Sequence, residues 1–146
     1  MEYLGHIIRP DGLSPMQTKV TKIRETAGPC TKRQLNSFLG LAGYYRKFIP
    51  HFATQACPLT DLTKKRQPNQ LEWEEEQELA FNNLKRHLST SPVLLLPDVK
   101  TTFTLRTDAS NIGLETVLLQ EADGVKRLVA IASRKLMPRE KNYSTI

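Results

Sequence analysis

Residues 101–120, TTFTLRTDASNIGLETVLLQ, constrain this chain more than any other stretch. Residues 101–107 are rich in β-branched and aromatic side chains, which suit a pleated surface. Phe103 and Leu105 alternate with Thr102, Thr104 and Arg106, so one face is apolar and the other polar. Residues 108–113 supply a turn, with Asn111 and Gly113 able to take positive φ. Residues 114–120 then read as the returning strand. The first strand thus ends in a carboxylate, Asp108, at the lip of a sheet. Such a carboxylate either caps the turn or offers a hard oxygen to a divalent cation, and spacing alone leaves both readings open.

The flanks extend this sheet. Residues 121–125, EADGV, carry the Asp-Gly hairpin signature. Residues 128–133, LVAIAS, form an almost wholly apolar third strand, expected to be buried on both faces. Residues 137–140 start a last element, and the sequence closes on KNYSTI. Upstream, SPVLLLP at 91–97 is an extended apolar run expected to cross the sheet or join its edge, since proline cannot donate to a ladder. Before it, Trp73, Gln77, Ala80, Phe81, Leu84 and Leu88 stripe one helix. Glutamates crowd its first turn and Lys85, Arg86 and His87 its last, the favourable signs for the helix dipole. Consecutive glutamates on a helix point in different directions, so this cluster is not read as a metal site.

The front half reads as helical. Residues 2–8 are strand-like and Arg9-Pro-Asp-Gly12 is a turn. Ser14-Pro15 reads as a helix start, with Met16, Val20, Ile23 and Ala27 at helical spacing and Gly28-Pro29 as the stop. Thr31 and Gln34 form a capping box ahead of the stripe Leu35, Phe38, Leu39, Ala42. Gly40 and Gly43 each lower helix propensity by about 1 kcal/mol and would allow a close helix crossing. Tyr44, Tyr45, Arg46, Lys47 and Phe48 interleave aromatics with cations. That pattern suits core packing with a solvated edge, and equally stacking with phosphate contact. Residues 53–65 read as a further short helix with Leu59 and Leu62 inward. KKRQPN at 64–69 is a linker, and the domain boundary is placed there.

Charge is uneven. Residues 1–70 hold 11 Lys/Arg against 4 Asp/Glu, although the whole chain carries only +6. A basic front half fits either a phosphate-backbone binder or a solvated surface. Nothing approaches the roughly 18–20 apolar residues of a membrane span, and Met1-Glu2 opens no basic-then-apolar leader. Cys30 and Cys57 lack CxxC spacing and are expected to be free thiols in the cytoplasm or nucleus rather than a disulfide.

LRTDASNIGLETVLLQ followed by VAIASRKLMPREKNYSTI resembles the start of the ribonuclease H domain in reverse transcriptases of gypsy-type (long-terminal-repeat) retrotransposons. FLGLAGYYRKFIPHFATQACPLTDLTKK resembles the thumb-to-connection region of the same polyproteins, and the Trp73–Leu88 run has its counterpart there too. The resemblance covers residues 2–146. It implies an α+β fold: a helical thumb and connection segment over 1–66, then an incomplete, truncated ribonuclease H-like half over 70–146 with three antiparallel strands. It implies that Asp108 is the first of four carboxylates that hold two Mg²⁺ ions for phosphodiester hydrolysis. It also implies that Arg46, Lys47, Tyr44, Tyr45, Lys32 and Arg33 face nucleic acid, an RNA–DNA hybrid or primer–template. Tyr3, Leu4 and Gly5 would sit near the primer grip by this resemblance, but without the palm the stretch is read in preference as a hairpin that has lost its parent sheet.

The sequence departs from the family in three places. Glu115 stands where a small residue is usual and Arg106 where a neutral one is; these two are expected to pair across the hairpin. No two of the five aspartates are adjacent, so the Asp-Asp motif of a polymerase palm is missing. The family's second carboxylate follows the NYST-type run. The isolated chain is therefore expected neither to polymerise nor to cleave, with Asp108 vestigial and Mg²⁺ not bound tightly. The alternatives are a degenerate nucleic-acid-binding remnant and a decayed reading frame. The third strand is expected to leave an exposed edge prone to self-association.

Overall fold

The computed structural model describes residues 1–143; residues 144–146, which include the end of the NYST-type run, lie outside the described residues. The chain opens with three short antiparallel strands, β1 (Glu2–Tyr3), β2 (His6–Arg9) and β3 (Gly12–Pro15), in that order. Leu4 and Gly5 make the first turn, both at positive φ. Ser14 and Pro15 do not begin a helix, as the sequence suggested. They end β3, opposite Ile7 and His6. Cross-strand pairing engages them, and helix α1 (Gln17–Glu25) starts after Met16, whose N–H donates to the Gly5 carbonyl at 3.0 Å. Val20 and Ile23 are buried as their spacing predicts, whereas Ala27 lies past the helix end and is exposed.

Helix α2 (Lys32–Tyr44) begins at the predicted capping box: Gln34 N–H donates to the Thr31 hydroxyl and Thr31 N–H to the Gln34 amide oxygen, both at 3.3 Å. Leu35, Phe38 and Ala42 line its buried face. Gly40 faces open space, so no helix crosses there. A 3-10 turn (Arg46–Phe48) follows. The single helix expected at 53–65 is two: α3 (Phe52–Gln55) and α4 (Cys57–Leu62). Pro58 has no N–H for the Thr54 carbonyl, so the first helix cannot run on through it, but proline suits the first turn of the second.

Helix α5 (Glu75–Ser89) carries its own capping box between Glu74 and Gln77, a feature absent from the sequence reading. Its buried face, Ala80, Phe81, Leu84 and Leu88, joins Leu35, Phe38, Tyr45, Phe48, Leu59 and Leu94 in one core. That core draws on both sides of the exposed 64–69 linker; the Phe38 and Phe81 rings lie 4.5 Å apart, centroid to centroid.

Strands β4 (Phe103–Ala109), β5 (Gly113–Ala122) and β6 (Val125–Lys135) form an antiparallel sheet in sequence order. Asp123 and Gly124, both at positive φ, make the β5–β6 turn as the Asp-Gly pair predicts. The apolar 91–97 run joins two edges: Leu13 and Leu94 exchange backbone hydrogen bonds at 2.7 and 2.8 Å, and Leu95 N–H donates to the Leu128 carbonyl at 2.7 Å. Gly12 makes this possible, because a Cβ there would lie 2.2 Å from the Leu94 carbonyl oxygen.

Two expectations about β6 are corrected. The strand is buried on one face only. Val129 and Ile131 are buried and Leu128 packs against the helical core, while Ala132 is exposed. α3 and the 3-10 turn cover one side of the sheet, and Leu105, 62% exposed, stands on the other. Nor is β6 the bare edge, since its Ser133 carbonyl accepts from the Arg46 guanidinium and its Leu128 carbonyl from Leu95. Among the described residues the unpaired edge belongs to β4.

Candidate functional site

Asp108 lies one residue from the end of β4, exposed, and pairs in register with Glu115 on β5. Directly opposed residues share a sheet face, so two carboxylates stand side by side. Glu115 is held from the helical side: it accepts the backbone N–H of His51, and its carboxylate lies 3.2 Å from His51 Nδ1. His51 adopts φ +52°, a left-handed conformation. The expected Glu115–Arg106 pair is thus corrected. Arg106 sits opposite Val117, and Glu115 accepts from the His51 N–H instead. His51, Thr54, Asp108, Ser110, Gly113, Leu114 and Glu115 enclose a small cavity of about 120 Å³. Helix α3 approaches closely here because residue 113 is glycine. A Cβ there would lie 2.8 Å from Thr54 Oγ1 and 3.1 Å from the Arg134 carbonyl oxygen.

Among the described residues, no three His, Cys, Asp or Glu side chains are grouped to hold a metal ion. Asp108 has one acidic neighbour, and that neighbour is engaged with His51. This donor set does not fit a two-metal centre, which needs several carboxylates converging on the same space.

The residues assigned to nucleic acid divide by what they already touch. Tyr45 is buried and its hydroxyl donates to the Gly5 carbonyl at 2.7 Å; Tyr44, half exposed, donates to the Leu4 carbonyl. The pair therefore pins the β1–β2 turn. The Arg46 guanidinium lies 5.0 Å from the centre of the Phe52 ring while it donates to Ser133. Lys32 donates to the Lys64 carbonyl at 2.7 Å. Lys47 lies over the Phe48 ring at 5.5 Å, and burial pushes its pKa down. Arg33 is exposed and makes no ion pair among the described residues.

Two features escaped the sequence reading. His6 is buried among Tyr44, Tyr45 and Phe48, with ring centroids 5.4, 5.4 and 5.8 Å away. Its Nδ1 meets the Leu4 carbonyl at 2.9 Å, while Nε2 is buried without a partner. Burial first, and the charge of Lys47 second, push its pKa down. Asp61 joins Lys135 at 2.7 Å and Lys64 at 2.9 Å, tying α4 to β6. Neither was legible in sequence, because the rings around His6 and the Lys135 partner of Asp61 lie far along the chain.

Residues 73–146 match the model of the RNase H-like domain found in reverse transcriptase. Over 99% of its length the chain is 42% identical to the Retrovirus-related Pol polyprotein from transposon 297 of Drosophila melanogaster, and 40% identical to that from transposon gypsy. It is 36% identical over 98% of its length to the Gag-Pol polyprotein of Gibbon ape leukemia virus. The chain spans 13%, 15% and 8% of those polyproteins respectively. The foamy viral protease-reverse transcriptase, solved in complex with double-stranded DNA, superposes over 99% of this chain and 25% of its own with a TM-score of 0.87 at 23% identity. That likeness shows the fold: helices and an antiparallel sheet in the same arrangement. The chain corresponds to the reverse transcriptase/RNase H region of a Pol polyprotein, and it belongs to the family of the RNase H-like domain found in reverse transcriptase.

Proposed function

We propose that this chain is a nucleic-acid-holding part of a reverse transcriptase/ribonuclease H and is catalytically silent alone. In this reading the basic helical segment 1–66 contacts the phosphate backbone of an RNA–DNA hybrid or primer–template, with Arg33 the residue most available to it. Asp108 is the one carboxylate of a hybrid-cleaving centre that the sheet contributes. The family is generally divalent-metal dependent; Mg²⁺ for this chain belongs to the proposal. The observation that carries the reading is the Asp108–Glu115 pair, in which the second carboxylate is committed to His51 and leaves, among the described residues, a single acid where several are needed. Support for the binding half comes from relatives solved with double-stranded DNA and with RNA/DNA hybrid. Two unbridged cysteines support a cytoplasmic or nuclear setting.

The test is hybrid cleavage by the purified chain with Mg²⁺ or Mn²⁺, beside Asp108→Asn, together with hybrid affinity at two salt concentrations. The expected result is no cleavage by either protein, and an affinity that falls steeply as salt rises. Cleavage that disappears in Asp108→Asn would overturn the silent reading. Affinity absent at low salt would overturn the binding reading.

A further inference from the structure

Two consecutive carbonyls of the β1–β2 turn each hold two donors. The Leu4 carbonyl accepts the Tyr44 hydroxyl and meets His6 Nδ1 at 2.9 Å. The Gly5 carbonyl accepts the Tyr45 hydroxyl at 2.7 Å and the Met16 N–H at 3.0 Å. Leu4 has φ +46°, a left-handed conformation that a bulky side chain resists. Such a conformation persists where surrounding bonds over-determine it. Gly5, at φ +76°, has no free room for a Cβ, which would lie 3.0 Å from the Tyr45 hydroxyl oxygen. The turn thus keeps its shape by contact with the end of α2, and the same clamp fixes Met16 at the start of α1.

His6 is the member of this clamp that titrates near neutral pH. Its bond to a carbonyl requires Nδ1 to carry the hydrogen, so in the neutral ring Nε2 is a bare acceptor. Nε2 is closed off from solvent and has no partner. Tyr44 and Tyr45 face the ring from α2 and its C-cap, and Phe48 and Lys47 from the 3-10 turn. Tyr3 on β1 and Pro15 on β3 stand opposite it in register. Among the described residues His6 is in no ion pair, and the charge that reaches it is the Lys47 cation. A proton on Nε2 would sit in an aromatic enclosure without an acceptor, beside a like charge. Every group in the cluster belongs to residues 3–48.

We propose that the Leu4–Gly5 turn is a pH-gated element, clamped while the His6 imidazole is neutral and released when Nε2 takes a proton. The protonated ring turns out to water. That takes the Nδ1–H from the Leu4 carbonyl and opens the enclosure in which the two tyrosine hydroxyls reach the turn. Leu4 is then free to leave positive φ, and the Met16 N–H loses the Gly5 carbonyl. The switch is local: the turn and the start of α1 loosen while the core between α2 and α5 stays folded. Burial first, and Lys47 second, make the ring a weaker base than a free imidazole, so release needs more acid than an ordinary histidine would. Nucleic-acid binding plays no part in it.

The test is amide hydrogen exchange on the full chain between about pH 5 and 7, corrected for intrinsic rates, with the His6 ring followed by NMR. The expected result is that protection of the Met16 N–H falls about tenfold per pH unit below the midpoint of the His6 ring. The Leu84 N–H, within α5, should keep its protection. His6→Phe fills the enclosure and leaves the Leu4 carbonyl to Tyr44, so Met16 protection should become independent of pH. Lys47→Met removes the like charge and should move the ring midpoint and the loss of Met16 protection upward together. Met16 and Leu84 losing protection together would overturn the proposal, since the whole chain would then be unfolding. So would Met16 protection that stays flat while the ring titrates, with the aromatic faces holding the imidazolium in place. So would a pH dependence that persists in His6→Phe. Where that variant fails to fold, Lys47→Met carries the test, and a midpoint that does not move overturns the assignment to His6.

Discussion

Glu115 accepts the backbone N–H of His51 across a sequence separation of 64 residues, and that single carboxylate joins the helical body to the sheet beside Asp108. The side chain of Glu115 is only 11% exposed, so little water could replace it. Glu115→Ala would leave the His51 N–H without its acceptor, at a cost of about 1–3 kcal/mol. Glu115→Gln keeps an acceptor oxygen and should lose less. Urea unfolding of the two variants checks this; equal losses would mean that charge, not acceptance of the N–H, provides the stabilisation.

The glycines separate into opposite predictions. Gly113→Ala places a methyl against the Arg134 carbonyl oxygen, which belongs to the sheet backbone and cannot turn away, and against the mobile Thr54 hydroxyl. A destabilisation of about 1–3 kcal/mol is expected, with Thr54→Ala recovering only part of it. Gly40→Ala meets nothing within 4 Å in the middle of α2. It should stabilise the protein by roughly 0.5–1 kcal/mol through helix propensity alone. Thermal melts of both decide; a destabilised Gly40→Ala would mean that a neighbour packs on that face.

These contacts show where a sequence reading succeeds and where it fails. The Thr31–Gln34 box, the Asp123-Gly124 turn and the α5 stripe were legible because each is a local device whose partners lie within a few residues. Ser14-Pro15 was misread because the same residues satisfy a helix start and a paired strand, and the choice was made by β2. The helix over residues 75–88 was readable, although Trp73, expected on its stripe, lies before the N-cap Glu74; the docking of this helix on Phe38 was not readable. The place of Asp108 near a strand end was legible. His51 was not, because nothing near it in sequence marks a donor to Glu115. Arg46 and Tyr45 looked like ligand-binding residues by composition, while the structure engages one with the edge of β6 and the other with the Gly5 carbonyl.

His6 sets a pH dependence. Burial and the Lys47 charge depress its folded pKa below the ordinary 6.5, against the opposing bond to Leu4. The unfolded chain therefore binds the proton more readily, and stability rises with pH in this window. The contribution is fully present above pH 6.5 and is lost as pH falls through the folded pKa. His87, depressed by burial and by Arg86, acts in the same direction. His6→Phe should lower the slope of unfolding free energy between pH 5 and 7 relative to wild type, leaving the His87 part. An unchanged slope would mean that the buried imidazole is not the group that titrates.

The last prediction separates binding from folding among the basic residues. Arg33 is exposed on the first turn of α2, whereas Arg46 is engaged with Phe52 and Ser133. A side chain that only meets phosphate weakens hybrid affinity about equally for all sequences and lowers the salt slope by about 1 when removed. Arg33→Ala should do this with the melting temperature unchanged. Arg46→Ala should instead lower stability by about 1–2 kcal/mol, since it strips the Ser133 carbonyl of its donor and Phe52 of its cation. Hybrid titrations at several salt concentrations, run beside thermal melts, read both quantities. If Arg46→Ala reduces the salt slope without moving the melting temperature, then its guanidinium leaves Ser133 to bind nucleic acid. The internal contact would in that case be the resting state of a binding residue, not a structural tie.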